Sequence, residues 1–78
     1  MLIFLGDCRS ILESEDSPFE DATEMAQAIE NSISLPDKVK KKIEQILGQT
    51  VDELGQCGSI IWGYNSDDDI HYFFREEQ

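Results

Sequence analysis

The chain has 78 residues, 17 acidic and 6 basic, and a formal net charge of −11 at pH 7. That length supports one small domain, and the acidity argues against direct nucleic-acid binding, because phosphates would be repelled. The longest apolar run, residues 1–5, is far too short to cross a bilayer and has no basic segment before it, so neither a membrane span nor a signal peptide is expected.

Residues 1–5 are apolar throughout and predict a buried strand, ended by the turn formers Gly6 and Asp7. Residues 10–14 offer a short second strand folding back, and residues 13–18 a polar, acidic loop. Phe19, Ala22, Ala26, Ile29 and Ile33, with Met25 beside them, follow a helical step over residues 19–33, while Glu20, Glu24, Gln27 and Glu30 take the other face. Ser34, Pro36 and Asp37 form a second helix start, with Ser34 as cap. Val39, Ile43, Ile46 and Leu47 mark its apolar face, and Gly48 its end.

Thr50 to Glu53 repeats the capping pattern and predicts a short third helix or turn, stopped by Gly55 and Gly58. Residues 59–64 and 70–75, rich in β-branched and aromatic side chains, predict a β-hairpin joined by the five residues 65–69. The expected fold is a small α+β domain in the order β-α-α-β-β. Its antiparallel sheet has three strands, or four if residues 10–14 pair, with two main helices on one face. Ile60, Trp62, Tyr72 and Phe74 would then meet the helices, leaving Ile61, His71 and Phe73 outward. A bare apolar face of that size needs a cover. A partner, a second copy, the third helix or the 6–18 segment would each provide one.

Cys8 and Cys57 are too few for a disulfide-built secreted scaffold, and two reduced thiols in a cytoplasm are expected. A bridge between them stays open if they end neighbouring strands. With His71 they are the only soft metal-ligand candidates, and no pair has zinc-site spacing. Asn65, Asp67, Asp69 and Glu76 imitate positions 1, 3, 5 and 12 of a calcium loop, but Ile70 stands where that loop requires glycine. No phosphate-binding glycine loop is present, and Cys8 with His71 is the sole nucleophile–base pairing available. No enzyme activity, metal or cofactor is therefore expected.

Charge is the informative feature. Spread evenly over roughly 4,800 Å², the carboxylates would lie about 17 Å apart, too sparse to imitate a nucleic acid. They are not even. Glu13, Glu15, Asp16, Glu20, Asp21 and Glu24 crowd one segment, and Asp67, Asp68 and Asp69 crowd the hairpin tip. Such rows suit the lysines and arginines of a cationic groove. Trp62, Tyr64 and Phe73 are candidate aromatic anchors. Lys38, Lys40, Lys41 and Lys42 form a small basic island on the second helix, able to pair with the acidic cluster within the chain or across a dimer.

The pattern points to a non-enzymatic acidic protein that neutralises a basic, nucleic-acid-handling or nuclease-type partner. Immunity proteins and phage-encoded inhibitors share this type, though no motif links them to the chain. The alternative is an assembly subunit that self-associates, as a homodimer for example, through an uncovered sheet face.

Overall fold

The computed structural model describes residues 1–77. In chain order the elements are β1 (Leu2–Asp7), a single 3-10 turn (Ile11–Glu13), α1 (Ala22–Glu30), α2 (Asp37–Leu47), β2 (Glu53–Cys57), β3 (Ile60–Asn65) and β4 (Ile70–Glu76). The strands form one antiparallel sheet in the order β1-β4-β3-β2. The α+β class and the four-strand option hold, but the fourth strand is β2. Residues 10–14 supply the 3-10 turn instead, which sinks Ile11 into the core.

β2 lies where a third helix or turn was expected. Its sequence, Glu-Leu-Gly-Gln-Cys, has little strand propensity. Pairing makes it a strand: Cys57 faces Ile60 and Glu53 faces Tyr64. The two-residue turn between them opens on Gly58 at φ 62°, a value few side chains tolerate. Gly55 sits opposite Trp62, and a Cβ there would lie 2.8 Å from the indole Cζ2 and 2.5 Å from Ser32 Oγ. That glycine is a packing requirement, where the sequence suggested a stop. The Thr50–Glu53 capping pattern serves other ends. The Val51 N–H donates to Glu44 Oε2, and Asp52 Oδ2 accepts from the Ser66 N–H.

The β3–β4 register also differs from expectation. Asn65 pairs with Ile70, so the connection has four residues and Asn65 belongs to the strand. Its side chain is buried, donating to the Thr50 carbonyl and accepting from the Asp68 N–H. One residue of slip exchanges the faces of a strand. Trp62 therefore lies opposite Phe73, and Ile61 opposite Phe74.

This register builds two cores. Ile60, Trp62 and Phe73 pack with Ile11, Phe19 and the α1 residues Met25, Ala28 and Ile29. Ile61 and Phe74 pack on the other face with Ile43, Val51 and the α2 residues Val39 and Leu47. The helices thus cover opposite faces of the sheet, correcting the expectation that both share one. The linker explains the change of side. Ile33 exchanges both backbone hydrogen bonds with Gln56 on the β2 edge, at 2.9 and 3.0 Å, and Leu35 beyond it joins the opposite core. The chain crosses from face to face around β2. Outward-facing Phe73 and Ile61 do not occur; both are buried.

α1 is shorter than residues 19–33. Asp21 caps it, accepting the Glu24 N–H at 2.8 Å, and Phe19 precedes it in the core. The inward face is Met25, Ala28 and Ile29, with Ala22 and Ala26 exposed. α2 runs as expected to Gly48, in the left-handed region at φ 70°, but Pro36 occupies the cap position in place of Ser34.

Candidate functional site

All nine acidic residues singled out from the sequence are exposed. They do not form one surface. Asp16 lies by Arg75, whose guanidinium reaches its carbonyl, and Glu24 shares a cleft with Cys57 and Ile60. These sit at the Cys57–Ile60 end of the β2–β3 hairpin. Asp67, Asp68 and Asp69 sit at the far end of β3, about 16 Å away at about 3.3 Å per residue. Within the first cluster, Asp21 and Glu24 are bound up in starting α1, since Glu24 Oε2 also accepts from the Glu20 N–H. Glu13, Glu15, Asp16 and Glu20 remain as freely presented carboxylates.

The tip cluster is larger than the sequence suggested. Asp52 and Glu53, far from it in the chain, join it because β2 pairs with β3. The Asp52 N–H donates to the Tyr64 carbonyl at 2.8 Å, and Glu53 lies directly opposite Tyr64. The Tyr64 hydroxyl donates to Asp69 Oδ1 at 2.6 Å. Five carboxylates, on Asp52, Glu53, Asp67, Asp68 and Asp69, therefore frame one end of the sheet with Tyr64 among them. Sequence proximity alone hid Asp52 and Glu53; a correct β2 assignment would have found them.

The electrostatics follow from that geometry. The hydrogen bond to Asp69 pushes the Tyr64 phenol above its ordinary value of 10.0, with burial and the charges of Asp69, Glu53 and Asp52 adding to it. Asp52 is held below the usual carboxylate value by the N–H and hydroxyl of Ser66, aided by the charge of Lys40. His71 lies against Tyr64 at 4.6 Å and Trp62 at 5.4 Å between ring centroids, tilted by 36° and 59°. Its burial there lowers its pKa below 6.5, although Asp69 and Glu53 pull the other way.

The aromatic anchors need correction. Phe73 is 0% exposed and Trp62 7%, so neither can insert into a partner. Phe73 was expected outward because the hairpin register was read one residue out; Trp62 was expected against the helices, and packing on the α1 side of the sheet buries it too far to serve as an anchor. Tyr64 stays partly exposed.

Internal neutralisation is slight. Among the described residues the one ion pair joins Arg9 to Asp7 at 3.4 Å, outside both clusters. For Asp7, slight burial is outweighed by the N–H groups of Arg9 and Ser10, the Ser10 hydroxyl and the Arg9 charge, which hold its carboxyl below 3.8. The four α2 lysines form no ion pair with either cluster.

Cys8 and Cys57 are free thiols. The Cys8 backbone N–H pairs with the His71 carbonyl, but its side chain packs into the apolar core while the imidazole lies against Tyr64 and Trp62. Among the described residues no three His, Cys, Asp or Glu side chains gather as metal ligands, and no helix is long and apolar enough to cross a membrane. Compared with known protein families, curated proteins and solved structures, the chain matches none.

Proposed function

We propose that the chain is a non-enzymatic acidic binding protein that neutralises a cationic protein, of the nuclease or nucleic-acid-handling type, by occupying its basic groove. One observation carries this. Asp52, Glu53, Asp67, Asp68 and Asp69 converge around Tyr64 with no close ion pair to lysine or arginine among the described residues, the charge of Lys40 reaching Asp52 only from beyond contact distance. Unpaired like charges at close quarters cost stability through mutual repulsion. A surface kept that way at the fold's expense speeds encounter with an opposite charge and rejects wrong partners. Glu13, Glu15, Asp16 and Glu20 form a second, separate contact zone. The free thiols fit a reducing, cytoplasmic setting.

Reversing Glu53, Asp67 and Asp68 to lysine tests the proposal, because among the described residues no hydrogen bond uses the side chain of any of these three. Capture of basic proteins at about 50 mM salt should disappear in the triple variant and, for the wild type, fade at about 500 mM. Capture that persists in both conditions would remove the electrostatic basis.

Self-association is the second reading. Both sheet faces are covered, but Met1, Phe4 and Ile46 leave an apolar rim beside β1, with Phe4 and Ile46 each 48% exposed. A salt-insensitive dimer in light scattering would favour it.

A further inference from the structure

The β2 strand has an edge that is closed at one point and open at the next. Ile33 takes both outward-facing backbone groups of Gln56. Backbone direction alternates along a strand, so the N–H and C=O of Leu54, two residues away, face the same outer side. No backbone or side-chain group among the described residues meets them. The linker has already turned off toward Leu35, and a cleft of about 420 Å³ is left between residues 32–35 and Glu53 and Leu54.

Trp62 also lines that cleft, and its indole Nε1, in a residue only 7% exposed, has no hydrogen-bond partner among the described residues. A buried donor without an acceptor is uncommon in a folded protein and costly. Along the same strand, toward the hairpin tip, come Glu53 and Asp52, with Asp69 near them across Tyr64.

From these features we infer that an extended, lysine- or arginine-bearing segment of the basic partner adds to the edge of β2 at Leu54. This deepens the function proposed above and rests on it. The Leu54 N–H and C=O hold the segment's backbone, as Gln56 holds Ile33. The Trp62 N–H offers a donor to a carbonyl entering the cleft. Cationic side chains on the segment then reach Glu53 and Asp52. Strand addition of this kind draws affinity from main-chain hydrogen bonds and selectivity from alternate side chains. Charge names the occupant: a second copy would bring another −11 to the acidic end of the sheet, whereas a basic strand brings the opposite sign.

The probe is a capped hexapeptide alternating lysine and valine, titrated at low salt into the ¹⁵N-labelled protein. A copy N-methylated on every backbone amide keeps the charge but has no N–H left to pair as a strand from either edge. The expected result is a shift of the Leu54 amide and of the single tryptophan indole signal, with the methylated copy binding about tenfold more weakly. Equal affinity for both peptides, with shifts confined to Tyr64 and Asp67, Asp68 and Asp69, overturns strand addition and leaves the acidic docking end standing. Absence of salt-sensitive binding by either peptide overturns both. Leu54 shifts that follow protein concentration without peptide assign the edge to a second copy and also overturn it.

Discussion

The Tyr64 hydroxyl donates to Asp69 Oδ1 at 2.6 Å across the turn joining β3 to β4. Asp69 itself stands at φ 54°, the one described non-glycine residue with positive φ, and returns the chain into pairing at Ile70. The bond ties a strained turn residue to the neighbouring strand and sets Tyr64 beside the acidic end. Asp69→Asn removes the charge while keeping an acceptor. The phenol of Tyr64, held above 10.0 in the wild type, should then ionise closer to that value. Tyrosine absorbance followed against pH reads the difference, and identical curves would show that Asp69 does not govern Tyr64.

Gly55 and Gly58 are both intolerant of alanine, for different reasons. A Cβ on Gly55 would meet Trp62 Cζ2 at 2.8 Å and Ser32 Oγ at 2.5 Å, and Ser32 is tied to the Ile29 carbonyl. Overpacking of this kind costs about 1–3 kcal/mol. Gly58 has open space around it, so Gly58→Ala should cost only about 1–2 kcal/mol from its left-handed backbone. Adding Asn at 58, which accepts that conformation better, should recover part of the loss, whereas no side chain rescues position 55. Urea denaturation of the three variants ranks them.

Those two glycines also show where the sequence was legible. α2 was readable because its apolar spacing and Gly48 agree on one helix. β2 was not, because Gly55 and Gly58 look like punctuation until Trp62 and Ile60 stand opposite them. Its strand character is a tertiary property, and with it went the presence of Asp52 and Glu53 at the tip. Asn65 misled in a subtler way. As an exposed turn residue it would lengthen the connection by one, but its buried amide bonds to Thr50 and Asp68 make it the last residue of β3. That single assignment exchanged the faces of Phe73 and Tyr72, while the expectation of a bare sheet face came from placing both helices on one side of the sheet.

Ile43 and Ile46 share the apolar stripe of α2 in sequence, but the fold separates them. Ile43 is fully buried against Val51, Ile61 and Phe74, and its Cγ2 lies within 3.3 Å of where a Gly63 Cβ would stand. Ile46 is half exposed. Ile43→Ala should lose about 2–5 kcal/mol and Ile46→Ala less than about 1 kcal/mol in equilibrium unfolding. Equal losses would mean that α2 is rotated about its axis relative to the sheet.

His71 gives stability a dependence on pH. Its pKa is lowered in the fold, so the unfolded chain binds the proton more readily. The stability gained from the neutral imidazole is complete above about pH 6.5 and is lost as pH falls through that value. Relaxed charge repulsion acts in the opposite sense over the same range, so the comparison must be internal. Wild type should lose stability relative to His71→Gln between about pH 7.5 and 5.5, and parallel curves would refute the partly buried, neutral imidazole. Asp52 and Asp7 work lower on the scale: their depressed pKa values support the fold above about 3.8, and that support goes as pH drops further.

The unpaired carboxylates should be felt in the free protein as well as in its binding. Each reversal of Glu53, Asp67 and Asp68 to lysine adds two units of charge, taking the net from −11 to −5. If the acidic end is maintained against its own repulsion, the triple variant should melt higher than wild type at low ionic strength, because repulsion destabilises a compact state. Salt screens such exposed charges over about 10 Å at 0.1 M, so the gap should narrow as salt is added. Binding to a cationic partner should fall in the same variant. A surface evolved only for solubility would give no such opposition, since loss of charge there removes repulsion without removing a partner. Thermal melts across a salt series, set beside capture of basic proteins, separate the two: higher melting together with lost binding marks a surface kept for a partner, and higher melting with binding unchanged marks one that is merely solvated.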